Sequence, residues 1–200
     1  MKKFILAFCV MVLAAPAFAA APVGKPAPDF TGTDTNGVAH DLKDYKGKIV
    51  VLEWSNPECP YVKKHYETHN MQGLQTDAIK QGVVWLTIAS SAKGLEGYMT
   101  ADEANAYMKR VMSSPTARIL DADGTIGHLY GATATPHMFV IDKDGVLQYA
   151  GAIDDRPSAD HETIAGAHNY VRAALDDLQA GNPVGTPLTP AYGCGVKYAD

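Results

Sequence analysis

Cys59 lies in Glu53-Trp54-Ser55-Asn56-Pro57-Glu58-Cys59-Pro60-Tyr61-Val62, where an apolar run gives way to a polar turn and proline follows the cysteine at once. Proline has no amide proton and a fixed φ, so Pro60 suits the first helical position and predicts Cys59 at a helix N-terminus. Unpaired amides and the positive end of the helix dipole favour thiolate over thiol there, and the thiolate is the nucleophile. Cys194 is a second sulfur, between Gly193 and Gly195 in a Pro- and Gly-rich tail. It can resolve an adduct on Cys59, staple to Cys59 permanently, or pair with another molecule. His65 and His69 stand four apart, the spacing of one helical face, and His137 follows Pro136. With Cys59 they offer another chemistry, a soft-metal site of thiolate and imidazoles. The plainer expectation is surface or hydrogen-bonded histidines, since no second cysteine neighbours Cys59 in sequence. Arg110 and Arg118 are expected to be ordinary solvated arginines. The Asp121-Ala122-Asp123-Gly124 and Asp142-Lys143-Asp144-Gly145 runs lack the downstream glutamate of a calcium loop and read as turns.

The elements that position these residues follow from pattern. Lys48 to Leu52 is β-branched and almost uncharged, as in a strand buried on both faces. After Cys59 the spacing of Val62, Tyr66, His69 and Leu74 predicts one helix to about Lys80, with Gly73 as its weak point. Val83 to Ala89 is a second buried strand, so strand, helix and strand form a right-handed parallel crossover. Ser90 to Tyr98 is then a loop at the carboxyl end of that strand, where open α/β sheets bind ligands. Thr100 and Glu103 have capping-box spacing and open a helix to about Met112. Ala117 to Leu120 reads as a short strand and Gly124 to Tyr130 as a helical turn. Residues 137–141 and 146–150 form a hairpin, and Asn36-Gly37 marks another near the N-terminus. Asp160 is expected to cap a final helix to about Ala180, with Ile164, Ala167, Val171, Ala174, Leu175 and Leu178 facing the core.

At the N-terminus, Lys2 and Lys3, an apolar run from Phe4 to Ala15, and Ala17-Phe18-Ala19 form the pattern of a signal peptide over residues 1–19. Its removal takes Cys9 with it and implies a periplasmic or secreted protein with no membrane attachment. The run is too short to span a bilayer. The formal net charge of −5 becomes more negative without the two lysines. No basic stripe offers itself to nucleic acid or anionic lipid.

The element order, with Cys-Pro opening the first helix, resembles the thioredoxin fold over about Lys25 to Leu178. Gly24-Lys25-Pro26-Ala27-Pro28-Asp29-Phe30, with Gly47-Lys48 before the strand, resembles the redoxin branch: alkyl hydroperoxide reductase/thiol-specific antioxidant proteins and exported thiol-disulfide reductases. The resemblance implies an α/β, thioredoxin-like domain over residues 20–180, a central mixed sheet flanked by helices. An N-terminal hairpin and an extended tail, 181–200, complete it. It also implies that Thr135-Pro136 is the cis-proline segment beside the active sulfur, forming a substrate groove with Pro60. Glu53, six residues before Cys59, takes the position of the buried acid that accepts a proton in thioredoxins. Its other reading is a carboxylate bonded to lysine or backbone. The chain departs from these families in three places. Val62 stands where thioredoxins carry the second cysteine of Cys-x-x-Cys, and Leu52 and Asn56 stand where peroxiredoxins carry proline and threonine or serine.

The expectation is an exported thiol-based oxidoreductase without a cofactor. Cys59 attacks a disulfide-bearing protein or a peroxide, Cys194 resolves, and an unidentified thiol donor returns electrons. A copper-binding or delivery module using Cys59, His65, His69 and His137 is the rival. A binding protein that kept the fold and lost catalysis is the third reading.

Overall fold

The computed structural model describes residues 21–199; the expected signal peptide, Met1–Ala19 with Cys9, lies outside them. The chain begins with a hairpin of β1 (Thr31–Thr33) and β2 (Ala39–Asp41), turned at Asn36-Gly37, where Gly37 has φ +79°. The five-stranded sheet begins at β3 (Val50–Trp54), which leads into α1 (Pro60–Glu67) and α2 (Asn70–Lys80). There follow β4 (Val84–Ala89), α3 (Ala101–Arg110), β5 (Ala117–Leu120) and α4 (Thr125–Tyr130). The chain continues through β6 (Ala134–Thr135), β7 (His137–Ile141), β8 (Leu147–Gly151), α5 (Tyr170–Gln179) and β9 (Cys194–Gly195).

The sheet order is β5-β4-β3-β7-β8. Strands β3, β4 and β5 run parallel, and β7 pairs antiparallel with both β3 and β8. This is the mixed, thioredoxin-like arrangement implied by the resemblance. All five residues of β3 are buried, since the sheet is covered on both faces. Val50, Leu52 and Trp54 pack with Phe30, Ile88, Tyr130 and Phe139 under the hairpin and α4. Val51 points the other way and packs with Val62, Tyr66, Trp85, Val140 and Val171 under α1, α2 and α5. Each fully buried Val, Leu or Phe contributes about 1.5–3 kcal/mol. Among the described residues no helix is long and apolar enough to cross a membrane.

Three sequence expectations change. The helix after Cys59 breaks at Thr68-His69, where His69 adopts φ 59°, whereas Gly73 lies inside α2 with open space around it. Asp160 caps only a short 3-10 turn, His161–Ile164; α5 starts later, and Asn169 accepts the amide of Arg172 as its cap. Ile164 and Ala167 therefore lie outside that helix. The extended tail is docked along the domain: beside β8 the Ala150 amide donates to the Pro187 carbonyl and the Thr189 amide to the Ala150 carbonyl, and β9 pairs with β6.

Candidate active site

The turn from β3 into α1 is built by Asn56. Its side-chain carbonyl accepts the Glu58 amide at 2.8 Å, and its backbone carbonyl accepts the Cys59 amide at 3.1 Å. Cys59 is the N-cap of α1 with Pro60 next, as the sequence predicts, and its carbonyl accepts the amides of Val62 and Lys63. The loop after β4 clamps this turn: Asn56 donates to Glu96, and the Gly97 amide donates to Glu58. Gly97 is required there, because a Cβ would stand 2.2 Å from the Asn56 Oδ1 and φ is +82°.

The Cys59 thiol is fully buried and donates to the Thr135 carbonyl at 3.1 Å. The Thr135–Pro136 bond is cis. Thr135 is also the register partner of Cys194, so the β6–β9 ladder brings the two cysteines together although they are remote in sequence. Both are free thiols. Burial, then a hydrogen bond with Cys59 and the charge of that sulfur, push the Cys194 thiol up to about 12.

Glu53 lies on the α1/α2 face of β3, fully buried. Tyr66 donates to its Oε1 at 2.7 Å, while Trp85 at 2.8 Å, Gln75 at 3.0 Å and Thr87 at 3.1 Å donate to Oε2. Neither lysine nor backbone is among these partners. Burial, then the Glu53 charge, raise the Tyr66 hydroxyl well above its ordinary range, so Tyr66 remains a donor. Further along the same face, Arg118 is buried rather than solvated, its guanidinium 5.5 Å from the Tyr107 ring. Arg110 is exposed as expected.

The histidines do not assemble around Cys59. The break at His69 takes it off the helix that carries His65. His65 is fully buried: Asn70 donates to its Nδ1 at 2.8 Å, which leaves its proton on Nε2, facing the Tyr192 hydroxyl at 3.4 Å. Burial, then the Lys64 charge, lower His65 to about 3. His137 accepts the Thr133 amide and is lowered by burial to about 4. Among the described residues no group of three or more His, Cys, Asp or Glu could hold a metal ion.

Sequence reasoning missed the parts that fasten the tail. Tyr192 donates to buried Asp154 at 2.5 Å, and its ring lies beside Tyr61 and 5.5 Å from the buried Lys64 ammonium. Tyr198 stacks on His128 and donates to the Ala132 carbonyl at 2.7 Å. Tyrosines on both sides of Gly193-Cys194-Gly195 were the available signal, because aromatic rings in a Pro- and Gly-rich segment need something to cover them.

Residues 23–150 match the model of the AhpC/TSA family. A thiol-disulfide oxidoreductase ResA of Geobacillus kaustophilus is 33% identical over 58% of this chain and 73% of its own length. A protein of the same name from Bacillus thuringiensis is 30% identical and is covered over 65% of its length. In structure, a hypothetical protein from Sinorhizobium meliloti is similar at TM-score 0.76 and 25% identity, over 90% of this chain and 97% of that one.

Proposed function

The chain belongs to the AhpC/TSA family, and from that premise we propose that it is an exported thiol-disulfide oxidoreductase in which Cys59 attacks and Cys194 resolves. The observation that carries this reading is the register of Thr135 with Cys194, which sets a second sulfur beside the buried cysteine at the start of α1. The name thiol-disulfide oxidoreductase, borne by relatives at 30–33% identity, supports a disulfide as the electrophile. Leu52 and Asn56 support the same choice, because they stand where a peroxide site would carry proline and a hydroxyl residue. Export rests on the pattern of Met1–Ala19.

In the first step the Cys59 thiolate attacks one sulfur of a substrate disulfide, forms a mixed disulfide and expels one substrate thiolate. Cys194, whose thiol gives up its proton as it attacks and no longer faces a charged sulfur once Cys59 is in the mixed disulfide, then attacks Sγ of Cys59, breaks the mixed disulfide and expels the second. The products are a Cys59–Cys194 bond and a substrate that has gained two electrons. The protons released by the two protein thiols go to the two substrate sulfurs, and a thiol donor later re-reduces the pair. Glu53, whose two oxygens accept hydrogen bonds from Tyr66, Gln75, Trp85 and Thr87, is the proposed proton acceptor for the thiol at Cys59.

Mixing reduced protein with a peptide disulfide, quenching with acid and mapping the sulfurs tests this. The parent should yield the Cys59–Cys194 bond, Cys194→Ser should accumulate a mixed disulfide at Cys59, and Cys59→Ser should not react. Equal turnover in Cys194→Ser and the parent would assign resolution to an external thiol.

A further inference from the structure

The tail does more than deliver Cys194. Its backbone pairs with β6, the two residues immediately before the cis-proline, and the Val196 amide extends the pairing to the Thr133 carbonyl at 3.3 Å. These are the backbone groups to which an extended chain reaching Cys59 would bond, and they are already in use. None of residues 191–199 is buried, whereas Cys59 beneath them is 0% exposed. The segment thus covers the sulfur from the margin of the core, with Tyr192, Cys194 and Val196 packed against it only half-buried.

Its attachment is concentrated at the two ends. Tyr192 is held on Asp154, and Tyr198 is held on Ala132 and His128, with the Lys197 carbonyl accepting the Ala92 amide at 2.8 Å. Between these points lie Gly193, the two-residue ladder with the Thr135 hydroxyl donating to the Cys194 carbonyl at 3.4 Å, the Cys194 thiol beside Cys59, and half-buried Val196. Gly193 has φ +126°, and a Cβ on it would stand 2.0 Å from the Thr135 carbonyl oxygen, so the close approach depends on glycine.

We propose that residues 192–198 are an internal stand-in for the partner, and that an extended segment of a disulfide-bearing protein replaces them strand for strand along Thr133–Thr135 before its sulfur meets Cys59. This rests on the reading of Cys59 as the attacking sulfur. The tail then has two duties in one cycle. It leaves to admit the segment, and its return brings Cys194 to the mixed disulfide while displacing the reduced partner from the same backbone groups.

The test uses the full-length reduced protein, with iodoacetamide labelling of Cys59 read by peptide mapping, a readout that needs no disulfide exchange. Gly193→Ala should raise the labelling rate by about tenfold, because reaction of a covered group follows the population of the open form. The double variant Tyr192→Phe, Tyr198→Phe should do the same, and it decides the matter if Gly193→Ala does not fold. A peptide copying residues 190–199 with Cys194→Ser should restore protection to the opened variant. Labelling unchanged from the parent, or a peptide without effect, overturns the proposal. Faster labelling with peptide protection, but no oxidation of Cys59 by any peptide disulfide, sinks the thiol-disulfide function and leaves the docking edge standing.

Discussion

At the residue scale, the place of Cys59 at the start of a helix was legible from a local signal, Cys-Pro after a buried strand, whereas the buried acid at Glu53 and the cis bond before Pro136 were expected from the resemblance. What Glu53 touches was not, since its partners come from α1, α2 and β4. Replacing it by glutamine keeps the shape but turns one acceptor into a donor among four donors. Glu53→Gln should lower stability by about 1–3 kcal/mol, read as an earlier urea midpoint, because one buried donor loses its acceptor. If Glu53 also takes the thiol proton, the variant should exchange disulfides more slowly at low pH, with the deficit closing at high pH as solvent base substitutes. A deficit that is the same at every pH would make its role structural. Arg118 was misjudged for a related reason. One arginine among apolar residues does not reveal that Tyr107, on a different element, will lie over it.

At the element scale, the strands and the capping box at Thr100 were readable from pattern, and the errors lie where backbone turns without a strong turn residue. Gly73 looked like the weak point of the first helix but stands on an open surface that tolerates it. The actual break is a left-handed residue at exposed His69. Because that side chain packs against little, His69→Val isolates the backbone: a β-branched residue at φ 59° should cost about 1–2 kcal/mol in chemical denaturation. Cys59 labelling should stay unchanged, since His69 lies beyond the end of α1. The docking of the tail was the largest miss. Its β9 strand is two residues long and has no periodicity, so only the folded β6 edge defines it as a strand at all.

For the whole molecule, acid should loosen what burial holds neutral. His65 is lowered to about 3 and His137 to about 4, both from 6.5, so the unfolded chain takes up protons that the folded chain refuses. Above pH 6.5 neither contributes; as pH falls toward 4, each should cost about 1.4 kcal/mol of stability per pH unit. Urea midpoints measured from pH 7 to pH 5 should fall, and the fall should be shallower in His65→Gln, His137→Gln. An unchanged slope in the double variant would place the proton uptake elsewhere. His65 faces Tyr192 of the tail through Nε2, but the added proton goes to Nδ1, so the bond that acid breaks first is the one from Asn70. The position of the tail's cover over Cys59 late in the chain also fixes an order of events during synthesis. Translation delivers Cys59, its sheet and the cis-proline loop long before residues 192–198 leave the ribosome. Every newly made copy therefore carries Cys59 without its cover until residues 192–198 dock, and the compartment in which it folds must keep that thiol from wrong partners until then.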